Sequence, residues 1–136
     1  MTREQQLIWA AGFFDGEGCV YVSRDSLYQR YRLGCTCTNT VRKPLKLMQK
    51  LFGGTYFLKE SREGSKPCYL WSSGGQNAMA ALEEMLPYLV VKRRQAEIAI
   101  AFQQRRITMP YKTDSRQRLD HQDYLDLREL KRGIGV

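Results

Sequence analysis

The sequence predicts an α+β domain, an αββαββα core with an antiparallel sheet followed by extra C-terminal helices. Three observations carry that prediction. Residues 29–38 alternate cleanly, with Tyr31, Leu33, Cys35 and Cys37 on an apolar side and Arg30, Arg32, Gly34 and Thr36 on a basic, polar side. Period 2 of this kind marks a strand covered on one face only. Apolar residues recur at helical spacing before and after it, as Leu7, Ala10, Ala11, Phe14 and as Leu45, Met48, Phe52. Glycine pairs and prolines punctuate the segments, and the resulting order is α-β-β-α-β-β-α-α-α.

Each element has its own signal. Thr2 and Gln5 form a capping box, so a helix starts near residue 3, and it stops around Asp15-Gly16-Glu17-Gly18. Residues 19–23 read as a strand with Val20 and Val22 on one face, and a polar turn at 25–27 leads into the alternating strand. A second helix is expected over roughly 40–52, with Val41, Leu45, Met48 and Phe52 on its apolar face, Pro44 in its first turn and Gly53-Gly54 ending it. Strands near 55–60 and 67–73 form a second hairpin, joined by the charged turn 61–66. Alternation puts Tyr56, Leu58 and Glu60 on one side of it, with Lys66 and Cys68 as partners across. A third helix near 76–86 is broken by Pro87. A fourth runs over about 91–105 with Ile98 and Phe102 inward. After a polar connection at Met109-Pro110, a last helix is expected with Asp120 as N-cap, Tyr124, Leu127 and Leu130 on its apolar side and Gly133 just past its end.

The chain has 136 residues, which is one domain's worth, and 43 % of them are hydrophobic, enough to build a core and to argue against wholesale disorder. No run of 18 apolar residues exists, so no membrane span is expected. The first residues do not read as a secretory signal, which points to an intracellular protein of unspecified compartment. Net charge is +8 and the pI about 9.5. Residues 24–66 hold ten basic side chains and three acidic ones, seven of the eight net positive charges. A solvated basic surface would explain this, but so concentrated a patch slightly favours a polyanion, and nucleic acid is the commonest one. Cys19, Cys35, Cys37 and Cys68 lack C-x-x-C spacing, and the lone His121 is distant in sequence, so free thiols in a sheet are expected rather than a zinc site.

The most informative segment is Ala10-Ala11-Gly12-Phe13-Phe14-Asp15-Gly16-Glu17-Gly18. It resembles the LAGLIDADG motif of the homing endonuclease family, with alanine for the first leucine, two phenylalanines for Leu-Ile and Glu17 for the second aspartate. The element order matches that family's core, and the resemblance spans roughly residues 5–106. The expected organisation is therefore an endonuclease core over 1–106 and a helical extension of the same domain over 107–136. Independently of the resemblance, Gly12 and Gly16 share one helix face, where small residues let another backbone approach. A glycine inside a helix is about 1 kcal/mol worse than alanine. A cap explains Gly16 but not Gly12, and a helix–helix contact explains both. Only one motif copy is present. The resemblance then implies a homodimer with Gly12, Phe13 and Gly16 at the two-fold axis.

The resemblance also implies site residues. Glu17, otherwise an ordinary surface carboxylate at a helix end, would bind a divalent metal, Mg²⁺ or alternatively Mn²⁺, with the Gly16 carbonyl as a further ligand. Paired across the axis, two such carboxylates repel, and a hard cation relieves the repulsion. Leu86-Pro87-Tyr88-Leu89-Val90-Val91-Lys92-Arg93-Arg94-Gln95-Ala96 resembles the family segment L-P-x-L-x-x-K-x-x-Q-A. It assigns Lys92 to the phosphate and attacking water. Asn39 falls where the family carries a water-orienting polar residue, and Lys43 where it carries a second basic one. The sheet reads DNA in this family. The implied contacts are Tyr21, Ser23, Arg30, Arg32 and Thr36 on the first hairpin, and Tyr56, Leu58, Glu60, Lys66 and Cys68 on the second. A strand of about 7 residues spans about 7 base pairs, so a symmetric dimer covers roughly 18–24. The expected function is a Mg²⁺-dependent, site-specific endonuclease of a mobile intron, cutting both strands of a pseudo-palindromic duplex. Two alternatives on the same fold are a non-catalytic DNA-binding regulator and an RNA-binding intron maturase with intron RNA as its partner.

Overall fold

The computed structural model describes residues 1–59 and 63–133. Ten elements follow in order: helix α1 (Arg3–Glu17), strands β1 (Gly18–Asp25) and β2 (Arg30–Asn39), helix α2 (Arg42–Phe52), strands β3 (Thr55–Lys59) and β4 (Cys68–Gly74), helix α3 (Gly75–Met85), a 3₁₀ turn (Leu86–Tyr88), and helices α4 (Arg93–Thr108) and α5 (Asp114–Lys131). The capping box at the start of α1 is formed as expected, Gln5 N donating to Thr2 Oγ1 at 3.1 Å and Thr2 N to Gln5 Oε1 at 2.9 Å.

The four strands make one antiparallel sheet in the order β1-β2-β4-β3. Its registers decide which residues share a face. Val20 pairs with Cys35 and Val22 with Leu33. Cys37 pairs with Trp71, and Trp71 with Tyr56. This face is covered by the helices. Val20, Val22, Leu33, Cys35, Cys37 and Trp71 pack there against Ala10, Ala11 and Phe14 of α1, Leu45 and Met48 of α2, Leu82 and Met85 of α3, Phe102 of α4 and Leu127 of α5. Trp71 is fully buried, and its indole N–H donates to the Gly53 carbonyl at 2.8 Å, which ties the end of α2 to the middle of β4. Among the described residues no layer covers the opposite face. No helix among the described residues is long and apolar enough to cross a membrane.

Three expectations for the elements are corrected. Val41 is not on the apolar face of α2. It is the N-cap and is exposed, because the Asn39 side chain turns the chain back by accepting from Val41 N at 2.8 Å. Helix α4 begins at Arg93, after exposed Val90 and Val91. Asp120 is not the N-cap of the last helix, which starts six residues earlier and is capped by Thr113, whose Oγ1 accepts from Arg116 N at 3.2 Å. Asp120 lies inside α5, 2 % exposed, where it accepts from Arg105 at 2.7 Å and from both terminal nitrogens of Arg106 at 2.8 Å. Buried charge demands partners, and these arginines dock α5 onto α4. Arg106 also donates to Tyr31 O at 3.2 Å, beyond the end of the β2–β4 pairing.

Candidate active site and nucleic-acid interface

Glu17 is the last residue of α1 and its side chain is exposed. Glu17 and Asp15 put negative charge at the end of a helix whose dipole is already negative there, and α1 has no basic residue in its own last turn. Lys92 supplies one from elsewhere. Its ammonium donates to the Asp15 carbonyl at 2.6 Å. The Asp15 carboxylate answers with two bonds to the segment before α4, Oδ2 accepting from Val90 N at 2.8 Å and Oδ1 from Lys92 N at 2.9 Å. Glu17, the Gly16 carbonyl and the Lys92 ammonium are thereby gathered at one corner, where α1 passes into β1. The buried Cys37 thiol lies near it. Burial is the main cause pushing this thiol upward. The Cys35 thiol adds to the rise, and Lys92 and Glu17 act in opposite directions as smaller causes.

The other two residues expected near this corner are placed differently. Asn39 closes β2, and its side-chain oxygen is occupied by the Val41 N–H, so its visible part is to shape the turn into α2. Lys43 is exposed in the first turn of α2.

Gly12 and Gly16 both lie on the exposed side of α1, and a Cβ at either would meet nothing within 4 Å. Nothing among the described residues therefore requires glycine there. Phe13 stacks on Trp9, ring centroids 5.3 Å apart and nearly parallel, and Ile8 is exposed on the same helix. This side of α1 is small or apolar and lacks a covering element among the described residues.

The open sheet face carries the first-hairpin residues as expected. Tyr21, Ser23, Arg30, Arg32 and Thr36 are out of phase with the buried Val20, Val22, Tyr31, Leu33 and Cys35. The Tyr21 ring lies over Gly34. Burial, with the neighbouring Cys35 and Cys19 thiols behind it, pushes its phenol pKa up. At the hairpin tip the Arg30 guanidinium sits 5.4 Å from the centre of the Tyr28 ring.

The second hairpin requires a correction. Tyr56 pairs with buried Trp71 and Leu58 with Tyr69, so both are in phase with the helix side of the sheet, although Leu58 itself stays 51 % exposed. Tyr56 stacks on Tyr69 at 5.9 Å and packs against the core. The residues on the open face are Thr55, Phe57 and Lys59, paired with Ser72, Leu70 and Cys68. Cys68 is therefore on the expected face, but opposite Lys59. Lys66 is exposed ahead of β4 and outside the strand. Glu60 lies outside the described residues. Thr-Tyr-Phe-Leu-Lys is apolar on both faces, and only Trp71, the bulkiest residue of β4 and fully buried, settles its phase. Asp15 was also missed, although it sits inside the motif, since its two backbone partners are 75 and 77 residues away.

A four-stranded antiparallel sheet covered by helices on one face is the fold of solved LAGLIDADG homing endonucleases. The crystal structure of the homing endonuclease I-CvuI with its target, in the presence of calcium, aligns over 98 % of each chain with a TM-score of 0.70 at 23 % identity. The archaeal intron-encoded homing endonuclease I-Vdi141I complexed with DNA aligns over 95 % of this chain and 86 % of that one, with a TM-score of 0.79 at 14 % identity. In sequence, the chain is 33 % identical over 99 residues to the DNA endonuclease I-CvuI of Chlorella vulgaris; the match takes in 68 % of this chain and 60 % of the relative's length. No family model matches the chain. The chain, with its motif-like segment at residues 10–18, therefore has the fold of the LAGLIDADG homing endonucleases and spans 60 % of the length of the relative it matches in sequence.

Proposed function

We propose that the chain is a site-specific DNA endonuclease that works as a homodimer with a divalent metal and cuts both strands of a duplex. The observation that carries this reading is the joining of the corner to the basic face: Glu17, the Gly16 carbonyl and the Lys92 ammonium stand at the end of the β1–β2 hairpin that presents Arg30 and Arg32. The likeness to an endonuclease crystallised with its target supports it.

Two-stranded ribbons fit the major groove, where arginine can pair with guanine, so the open face would fix the duplex in register. Glu17 and the Gly16 carbonyl offer hard oxygen donors of the kind Mg²⁺ prefers. Among the described residues no group of three or more His, Cys, Asp or Glu side chains could hold a metal. The Asp15 carboxylate is taken by the Val90 and Lys92 backbone N–H groups, which leaves Glu17 as the carboxylate one chain offers here, and the bare glycine side of α1 is where a second copy would bring another. A divalent ion held at Glu17 would draw charge from the scissile phosphate and make bound water a better nucleophile. Lys92, anchored beside it, would meet negative charge developing on the phosphate. The nitrogen of the Asn39 carboxamide is left to orient water, and Lys43 to meet a flanking phosphate. Glu17 also separates this reading from a non-catalytic regulator, which has no use for a carboxylate at that position.

The test uses a pool of duplexes randomised over about 24 base pairs, incubated with Mg²⁺ and then with EDTA. Metal-dependent double-strand cutting of selected members is expected. Glu17→Gln should abolish cutting and leave DNA binding in place. A wild-type protein that cuts no member overturns the nuclease reading. If Glu17→Gln loses binding and cutting together, the carboxylate is structural.

A further inference from the structure

We infer that Asp15 is a positioning residue for Lys92, holding its ammonium at a fixed place relative to Glu17; the inference rests on the nuclease reading above. The segment between the 3₁₀ turn and α4 has little else to define it. Leu89 is buried, but Val90 and Val91 are 81 % and 72 % exposed, and Lys92, the N-cap of α4, makes no side-chain capping bond. The Asp15 carboxylate takes the backbone N–H groups of Val90 and Lys92 together, at 2.8 and 2.9 Å. Charge-assisted bonds of this length are among the stronger ones a protein makes. The lysine side chain then folds back onto the carbonyl of the same aspartate at 2.6 Å. Lys92 is thus gripped at both ends by one residue, backbone N–H by the carboxylate and ammonium by the main-chain oxygen.

That residue stands two positions before Glu17 on the same helical turn. Any movement of the loop moves the ammonium, and any movement of the helix end moves the carbonyl that holds it. A carboxylate in the last turn of a helix opposes the helix dipole, so Asp15 is badly placed for helix stability alone. Two backbone donors and an ammonium make the position tolerable. Both carboxylate oxygens of Asp15 are taken by backbone donors, so Asp15 acts through Lys92.

A double-mutant cycle tests this, with single-turnover cutting measured in Mg²⁺ on a duplex selected from the randomised pool and binding measured in Ca²⁺. Asp15→Ala should slow cutting about 100-fold, as expected for a displaced catalytic group, with duplex affinity unchanged within about twofold. Amide hydrogen exchange at Val90 and Lys92 in the free protein should speed up. In a Lys92→Met background, Asp15→Ala should slow cutting further by no more than about twofold. Asp15→Asn, which retains one acceptor oxygen, should fall between wild type and Asp15→Ala, and it replaces Asp15→Ala if that variant does not fold. Equal slowing by the Asp15 substitution with and without Lys92 overturns the inference, as does wild-type cutting by Asp15→Ala. A wild type that cuts nothing defeats the nuclease reading instead, and the exchange measurement then still decides whether Asp15 holds the loop.

Discussion

Tyr21 and Gly34 face one another across the β1–β2 pair, and the tyrosine ring occupies the space a side chain at 34 would need. A Cβ on Gly34 would stand 2.4 Å from the ring carbon Cζ and 2.5 Å from the phenolic oxygen. The glycine lets an aromatic ring lie flat on the open face, where a flat surface is useful against a duplex groove. Gly34→Ala should tilt the ring outward, with a stability loss of about 1–3 kcal/mol as for other overpacked sites and weaker DNA binding. The double variant Tyr21→Ala/Gly34→Ala should recover stability without recovering affinity. Urea denaturation and fluorescence anisotropy separate the two effects. Equal stability of Gly34→Ala and wild type would show that the ring moves freely and plays no fixed part.

The phase of β3 makes a second prediction. Lys59 pairs with Cys68 on the open face, whereas Tyr56 pairs with Trp71 on the covered one. Lys59→Ala should leave thermal stability within about 0.5 kcal/mol and weaken binding to all duplexes, lowering the slope of log affinity against log salt by about 1 if the ammonium meets a phosphate. Tyr56→Ala should do the reverse. It loses the stack on Tyr69 and core contacts, should cost about 1–3 kcal/mol of stability, and should keep the salt slope of the wild type. A Tyr56 variant that folds normally and loses DNA affinity would put this residue back on the interface.

These two hairpins also show what can be read from sequence. The first was legible because Arg30, Arg32 and Thr36 alternate with Tyr31, Leu33 and Cys35, so polarity states the phase. The second was not, because Tyr56, Phe57 and Leu58 are consecutive and apolar, and a one-residue slip exchanges the faces. Glu17 and Lys92 could be singled out as candidates because each lies in a local motif. The clamp between Asp15 and the backbone of residues 90 and 92 was not, since backbone donors leave no mark on side-chain identity. Asp120 misled for a related reason. Aspartate is a common N-cap, and its true partners, Arg105 and Arg106, lie on the preceding helix.

Asp120 is the hub of the contact between α4 and α5. It accepts three short bonds from Arg105 and Arg106, while Arg105 also bonds Asp123 at 2.8 Å. Removing one partner of a buried ion cluster leaves the remaining charges unpaired, typically at about 3–5 kcal/mol. Asp120→Ala should therefore lower the unfolding free energy by about that amount. It should also loosen α5 before the sheet, seen as faster hydrogen exchange in α5 than in β2. Asp120→Asn keeps the shape and one acceptor oxygen, which Arg105 and Arg106 already share at Oδ1, and should lose less. If Asp120→Ala unfolds at the wild-type urea midpoint, the cluster does not hold α5 in place.

The buried thiols predict how stability depends on pH. Burial, with the Cys19 thiol as a smaller cause, pushes Cys35 up to about 12, and Cys37 is raised in the same direction with burial again the main cause. A cysteine in the unfolded chain ionises near about 8.5. The folded pKa is the higher one, so the stabilising contribution is complete below the unfolded value and is lost as pH climbs toward the folded value. In that window the unfolded chain releases a proton that the folded chain keeps. Each such thiol then removes about 1.4 kcal/mol of stability per pH unit. The urea midpoint should fall between about pH 9 and about pH 11, and Cys35→Ala should fall less steeply by the slope of one thiol. The order of reactivity with a thiol reagent should agree: Cys19 and Cys68, half-buried on the open face, react first, and Cys35 and Cys37 only on unfolding. Parallel pH curves for wild type and Cys35→Ala would mean that Cys35 ionises as readily in the folded sheet as in the unfolded chain.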